Sequence, residues 1–244
     1  MRDYHKELED RASFIKNILK ESGASGIVFG NSGGKDSCLV GILCKMACDN
    51  TLGIIMPCAT KRNYNEDLCD AKEFSAKYGI ETRIVDLTEV REREIAALQN
   101  ATSLNQAALA NIAPRLRMTT LYGIAGSENR LVAGTGNRSE AYVGYFTKWG
   151  DGAHDFNPIS DLTVTEVYEF LRYLDAPSSI IEKAPSAALF DGQTDEGEMG
   201  VTYAELDGYI LEKDISEDKK KRIDSLHKKS EHKRKPIAVY KMIK

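Results

Sequence analysis

Gly30-Asn31-Ser32-Gly33-Gly34-Lys35-Asp36-Ser37 follows directly on the apolar run Gly26-Ile27-Val28-Phe29 and precedes Cys38-Leu39-Val40-Gly41-Ile42-Leu43-Cys44-Lys45-Met46. This order reads as a strand, a small polar loop and a buried helix. The first backbone N–H groups of that helix lack intrahelical partners and point back into the loop. The helix dipole adds partial positive charge, so the loop is predicted to receive an anion. Gly33 and Gly34 allow a tight turn and close approach of the backbone, and Ser32 and Ser37 offer hydroxyl donors, which together suit phosphate. Asp36 is the exception. A carboxylate beside phosphates repels them unless a divalent cation lies between, so Asp36 is read as a Mg²⁺ ligand. The spacing is neither that of a Walker A loop nor that of a dinucleotide fingerprint.

The composition frames this loop. At 244 residues the chain suits one α/β domain with a C-terminal helical appendage. Hydrophobic content of 42% and charged content of 29% are those of an ordinary globular protein. The N-terminal residues alternate in charge and no apolar run approaches bilayer length, so neither a signal peptide nor a membrane helix is expected. The five cysteines (Cys38, Cys44, Cys48, Cys58, Cys69) include no C-x-x-C pair and are read as reduced, buried thiols of a cytoplasmic protein. A net charge of −4 argues against a dedicated nucleic-acid binder. Residues 212–235 are the exception, a run in which Lys and Arg outnumber Asp and Glu. That run is either a solvated helix face or a segment whose end, Glu231-His232-Lys233-Arg234-Lys235, folds back onto an anionic substrate.

Outward from the loop, strands alternate with helices. A packing helix is expected from about Asp3 to Lys20, strands at 52–57, 82–87 and 129–134, and a helix from Asn63 to Tyr78. A long helical stretch runs to about Ala110 and restarts with Pro114 in its first turn. Residues 147–161 read as a long irregular loop, and 191–200 as an acidic, glycine-rich one. Helices are expected at about 163–174, 201–212 and 217–231. The fold class is therefore α/β, a doubly wound parallel sheet with helices on both faces. Asp36 follows the first strand and Glu140 the fourth. If those strands are neighbours where the winding reverses, both carboxylates face one crevice, as a Mg²⁺-nucleotide site requires.

The loop resembles the SGGxDS phosphate loop of the N-type ATP pyrophosphatases, whose fold is adenine nucleotide alpha hydrolase-like. Three further blocks are more specific: Gly134-Thr135-Gly136-Asn137-Arg138-Ser139-Glu140, Gly144-Tyr145-Phe146-Thr147-Lys148-Trp149-Gly150-Asp151-Gly152 and Asp155-Phe156-Asn157-Pro158-Ile159. With Arg115-Leu116-Arg117-Met118, Pro185-Ser186-Ala187, Gly192-Gln193-Thr194-Asp195-Glu196 and His232-Lys233-Arg234, they are similar to the ammonia-dependent NAD synthetases in the same order along the chain.

The resemblance implies ATP-dependent amidation of nicotinic acid adenine dinucleotide (deamido-NAD) by ammonia through an adenylated intermediate, with AMP and pyrophosphate released. It implies that Gly30, Asn31, Ser32, Gly33, Gly34, Lys35, Asp36, Ser37, Thr135 and Ser186 contact ATP, and that Asp36 and Glu140 hold Mg²⁺. Arg115, Lys148, Asp155, His232 and Lys233 are implied to bind deamido-NAD. Asp151 is expected to help receive or deprotonate ammonium, since an anion in a closed pocket attracts that cation. The resemblance further implies a homodimer, with the helix after Pro114 as the contact; no glutaminase region is seen, so nitrogen is expected from free ammonia or from a separate protein. One departure stands out: Val164 occupies the place of a lysine common in the family, and either another cation, Lys35 or Lys183, substitutes or the phosphate-transfer chemistry is slower. An RNA-acting member of the same group and a noncatalytic nucleotide-binding regulator are the alternatives.

Overall fold

The computed structural model describes residues 2–58, 64–183 and 194–240. Strand β1 (Gly26–Gly30) pairs in parallel with β2 (Thr51–Ile55) on one side and β4 (Arg130–Ala133) on the other. Strand β3 (Glu81–Ile84) pairs in parallel with β2, so the order is β3-β2-β1-β4. The chain winds one way from β1 to β3 and then crosses to the other side of β1. The reversal falls between β1 and β4, where α/β sheets open a ligand crevice at their carboxyl edge.

Side chains alternate across the pleat, and this divides the core into two layers. Ile27 and Phe29 face a layer built by α1 (Tyr4–Ser22), α2 (Lys35–Ala47), α3 (Glu66–Tyr78) and α7 (Val164–Tyr173), through Ile15, Leu39, Leu43, Phe74, Val167 and Phe170. Val28, Leu52 and Val132 belong to the opposite layer, with Ala113 and Leu121 of α5 (Gln106–Glu128). Helix α4 (Thr88–Gln99) runs on the α5 side, and none of its residues is buried. Short helices α6 (Arg138–Val143) and α8 (Ser178–Ile181) flank α7. Helices α9 (Asp195–Met199), α10 (Tyr203–Ile210), α11 (Glu217–Lys229) and α12 (Glu231–Arg234) form the appendage. It packs on a third cluster, Val143, Val164, Met199, Tyr203, Leu206 and Ile223. Among the described residues, no helix is long and apolar enough to cross a membrane.

Two sequence expectations are corrected. The long helical stretch breaks at residues 100–105 and not before Pro114. Asn105 caps α5 by accepting the Ala108 N–H at 2.8 Å, and Pro114 lies inside that helix. A proline there removes the bond to the carbonyl of Ala110, a loss normally of ~3 kcal/mol. Its ring is buried, and it lies where a side chain on Gly150 would have to go. The cysteines are all free, yet Cys69 is exposed and Cys48 only half-buried. Cys69 is on α3, whose inner face is carried by Ala71, Phe74 and Ser75.

Candidate active site

A cavity of about 500 Å³ opens at the reversal point, lined by the ends of β1, β2 and β4 and by the loops that follow them. Of the predicted loop residues, Gly30, Asn31, Ser32, Gly34, Lys35, Asp36 and Ser37 line it, as does Thr135. Gly33 turns the chain instead. Its φ is +71°, and a Cβ there would sit 2.3 Å from the Asp67 carbonyl oxygen, so only glycine fits. Asn31 anchors the loop: its side-chain amide donates to the Ala71 carbonyl at 3.2 Å and to Ser75 Oγ at 2.9 Å. Ser32 Oγ lies 3.1 Å from Ser37 Oγ and accepts the Gly34 N–H at 3.3 Å, which holds the turn ready for a ligand.

Asp36 and Glu140 meet, and Asn137 is the reason. Asn137 is fully buried as the cap of α6, where its side-chain Oδ1 accepts the Glu140 N–H at 3.0 Å. Glu140 Oε2 in turn accepts the Asn137 N–H at 3.1 Å, completing a capping box. The amide of the same asparagine donates to Asp36 Oδ1 at 3.0 Å. Glu140 thus serves the helix end and faces the cavity, so the cap reading and the ligand reading describe one geometry. Burial, and then the charge of Asp36, push the Glu140 carboxyl up to about 8. Two carboxylates this close, one resisting ionisation, form an environment that a cation relieves. Among the described residues no group of three or more His, Cys, Asp or Glu is arranged to hold a metal. Mg²⁺ fits such a pair, since it takes one or two carboxylates and completes its shell with phosphate oxygens and water.

The cation already in place is Lys35. Its ammonium lies 2.7 Å from Asp36 Oδ2 and 5.6 Å from the centre of the Tyr203 ring. Burial opposes its charge, but Asp36 and Glu140 outweigh that, so its pKa rises. Val164, where the resemblance leads one to expect a lysine, is buried in the appendage core. The other candidate, Lys183, also lines the cavity, and its ammonium is held by Asp67 Oδ1 at 2.7 Å and Asp70 Oδ2 at 2.6 Å.

Behind Glu140 lies a buried polar knot. Asp207 on α10 accepts the Ser139 hydroxyl, the Thr165 N–H at 2.7 Å and the Thr165 hydroxyl at 2.6 Å. Ser139 Oγ accepts the Val164 N–H at 3.2 Å. One carboxylate therefore satisfies the start of α7 and fixes the residue preceding Glu140.

At the other end of the cavity, Asp151 Oδ1 accepts the Thr147 N–H at 2.9 Å. The residue as a whole is exposed, but its carboxyl is turned into the wall, and burial raises its pKa. The end of the basic run does fold back: Lys233 Nζ donates to the carbonyls of Gly144 at 2.7 Å and Phe146 at 2.5 Å, and Lys233 lines the cavity. Burial lowers its pKa, Asp151 opposes that, and Arg115 and Arg234 lower it further.

The remaining predicted substrate residues, Arg115, Lys148, Asp155 and His232, are outside the cavity lining; hydrogen bonds join Arg115, Lys148 and His232 into one rim, and Asp155 is held separately by Tyr122 and Val132. Arg115 donates to the Lys148 carbonyl at 3.4 Å, and Lys148 Nζ to the His232 carbonyl at 2.8 Å over the exposed Trp149 ring. Asp155 is exposed, accepting Tyr122 Oη–H at 3.1 Å and the Val132 N–H at 2.7 Å. Ser186 and the stretch through Gln193 lie outside the described residues. Sequence reasoning gave no role to Asn137, Arg117 or Asp207. Arg117, whose Nε donates to the Met56 carbonyl at 3.2 Å, lines the cavity, and its position two residues after Arg115 in a quoted motif was the available signal.

Comparison with known proteins agrees with this architecture. The NAD synthase family model matches residues 7–237. An NH₃-dependent NAD⁺ synthetase of Carboxydothermus hydrogenoformans is 46% identical over 95% of this chain and 96% of that one. Among solved structures, the NMN synthetase from Francisella tularensis superposes with a TM-score of 0.93 at 35% identity, over 99% of this chain and 100% of that one. The NH₃-dependent NAD synthetase from Campylobacter jejuni superposes with a TM-score of 0.80 at 30% identity, over 99% and 100%. The chain belongs to the NAD synthase family.

Proposed function

We propose that this chain is an ATP-dependent amide-forming ligase that converts deamido-NAD to NAD⁺ with ammonia. The observation that carries the reading is the meeting of Asp36 and Glu140 on Asn137 at the mouth of a phosphate loop. A carboxylate is a poor electrophile; joining it to AMP as a mixed anhydride supplies a good leaving group. The loop amides and the serine hydroxyls receive the phosphates, and Lys35 is the cation that stands in for the family lysine. Mg²⁺ held by Asp36 and Glu140 would neutralise charge developing on the departing pyrophosphate. Asp151 attracts ammonium at the far end of the cavity and takes its proton, with burial having raised the basicity of its carboxylate. Lys233 and the rim residues Arg115, Lys148, Asp155 and His232 hold the acid substrate, and Thr135 and Ser186 complete the ATP contacts.

The rim is open, which favours completion by a second copy. Helix α4 presents no buried residue, and Ile84 and Val90 beside α5 are each about half exposed, at 51% and 48%. A homodimer through this face, including the part of α5 after Pro114, would cover them, and sedimentation of the purified protein tests that. The cytoplasm, where ATP and reduced thiols are kept, is the compartment this chemistry needs.

Incubation with ATP, Mg²⁺, ammonium and deamido-NAD is expected to yield AMP, pyrophosphate and NAD⁺ together. RNA-dependent AMP alone, or no turnover, would defeat the reading. A second reading concerns the acid. The closer superposition on an NMN synthetase than on the Campylobacter NAD synthetase favours the corresponding mononucleotide acid. The ratio of kcat/KM for the two acids decides between them without disturbing the adenylation chemistry.

A further inference from the structure

Lys35 occupies the place where a metal ion's charge is wanted. It is the first residue of α2, its side chain is 7% exposed, and its ammonium is 2.7 Å from Asp36. The groups that face it are Asp36, Glu140, Tyr168 and Tyr203, and Tyr203 is itself bonded to Asp195 at 3.0 Å. Lys183, a half-buried lysine that also lines the cavity, offers a contrast. Two carboxylates hold it within 2.7 Å, and neither belongs to the Asp36–Glu140 pair. Lys35 instead shares its partner with the proposed metal, and an ammonium and a divalent cation repel each other across one carboxylate. Its four-carbon stem is flexible, and Ser32, Gly34 and Ser37, which would receive phosphate, line the same cavity on either side of it.

We propose that Lys35 is a built-in counter-cation of the Asp36–Glu140 pair, competing with divalent metal until nucleotide phosphates draw its ammonium away. Metal and nucleotide then bind as a coupled pair, each raising affinity for the other, as linkage requires. This rests on reading the cavity as an ATP site.

The test uses binding alone, on the full chain. Lys35→Met is expected to bind Mn²⁺ without nucleotide at least about tenfold more tightly than the unaltered protein, and to bind ATP in EDTA at least about fivefold more weakly. The opposite signs matter, because a poorly folded variant loses both. Lys35→Gln, which keeps a polar end but no charge, is expected to move both affinities in the same directions and serves if the methionine variant is unstable. Mn²⁺ affinity that is unchanged or weaker, or ATP affinity in EDTA that is unchanged, overturns the proposal. If the unaltered protein binds ATP neither with nor without metal, the functional reading falls and takes the proposal with it; ATP binding indifferent to position 35 strikes the proposal alone.

Discussion

The inner wall of the cavity and its outer rim are built on different principles. On the wall, Asp36, Asn137, Glu140, Ser139 and Asp207 are held by side-chain hydrogen bonds among α2, α6, α7 and α10. On the rim, the Arg115 and Lys148 side chains rest on backbone carbonyls, beside a half-exposed tryptophan. Buried, mutually bonded groups are preorganised for charge, whereas exposed cations gain their strength only when something excludes water from them. A single chain therefore carries a finished inner wall and an open outer rim.

The largest effect expected of this division is on turnover. Glu140→Gln and Asp36→Asn should each lower kcat for pyrophosphate release by roughly 10²–10³-fold, as loss of a preorganised electrostatic group does. Losses below those at the rim would erase the distinction. Next comes stability: Asp207→Ala strands the Ser139 and Thr165 donors and should cost roughly 3 kcal/mol in urea unfolding. A cost near zero would show that the wall is not braced from behind.

The pH profile sharpens the contrast further. In the metal-free protein the Glu140 carboxyl is raised from 4.5 to about 8, so the folded state holds its proton more tightly than the unfolded state. The stability this supplies is complete below the unfolded value and is lost as pH rises toward 8. In EDTA, the unaltered protein should therefore lose Tm relative to Glu140→Gln across that window; parallel profiles would remove the argument. The smallest effect belongs to the rim. Arg115→Ala should raise KM for the acid substrate by about tenfold, roughly 1.4 kcal/mol, and leave KM for ATP in place. If KM for ATP rises equally, wall and rim are one site.

The wall was largely legible in the sequence because its cause is local and then topological. A strand, glycine-rich loop and buried helix announce themselves within twenty or so residues, and parallel pairing brings the ends of β1 and β4 to one edge whatever the intervening segments do. The bridge through Asn137 was not legible, since it depends on where one amide points once α6 is capped. Nor was Asp207, which lies far along the chain and belongs to no motif. The break between α4 and α5 was misplaced because proline is a strong local signal, and here burial against Gly150 overrides it. Apart from His232, which lies in the basic run, the rim residues could be named only through resemblance, as isolated surface charges carry no pattern of their own.

Asn137 closes the helix that follows it with one end of its amide and steadies Asp36 with the other. Aspartate would keep the first contact and set a third negative charge against the second; leucine would abolish both. No other side chain of that size offers an acceptor and a donor back to back. Position 137 is thus a place where tolerance to mutation and tolerance of chemistry shrink to the same single residue, and a search for stabilised variants would have to leave it alone.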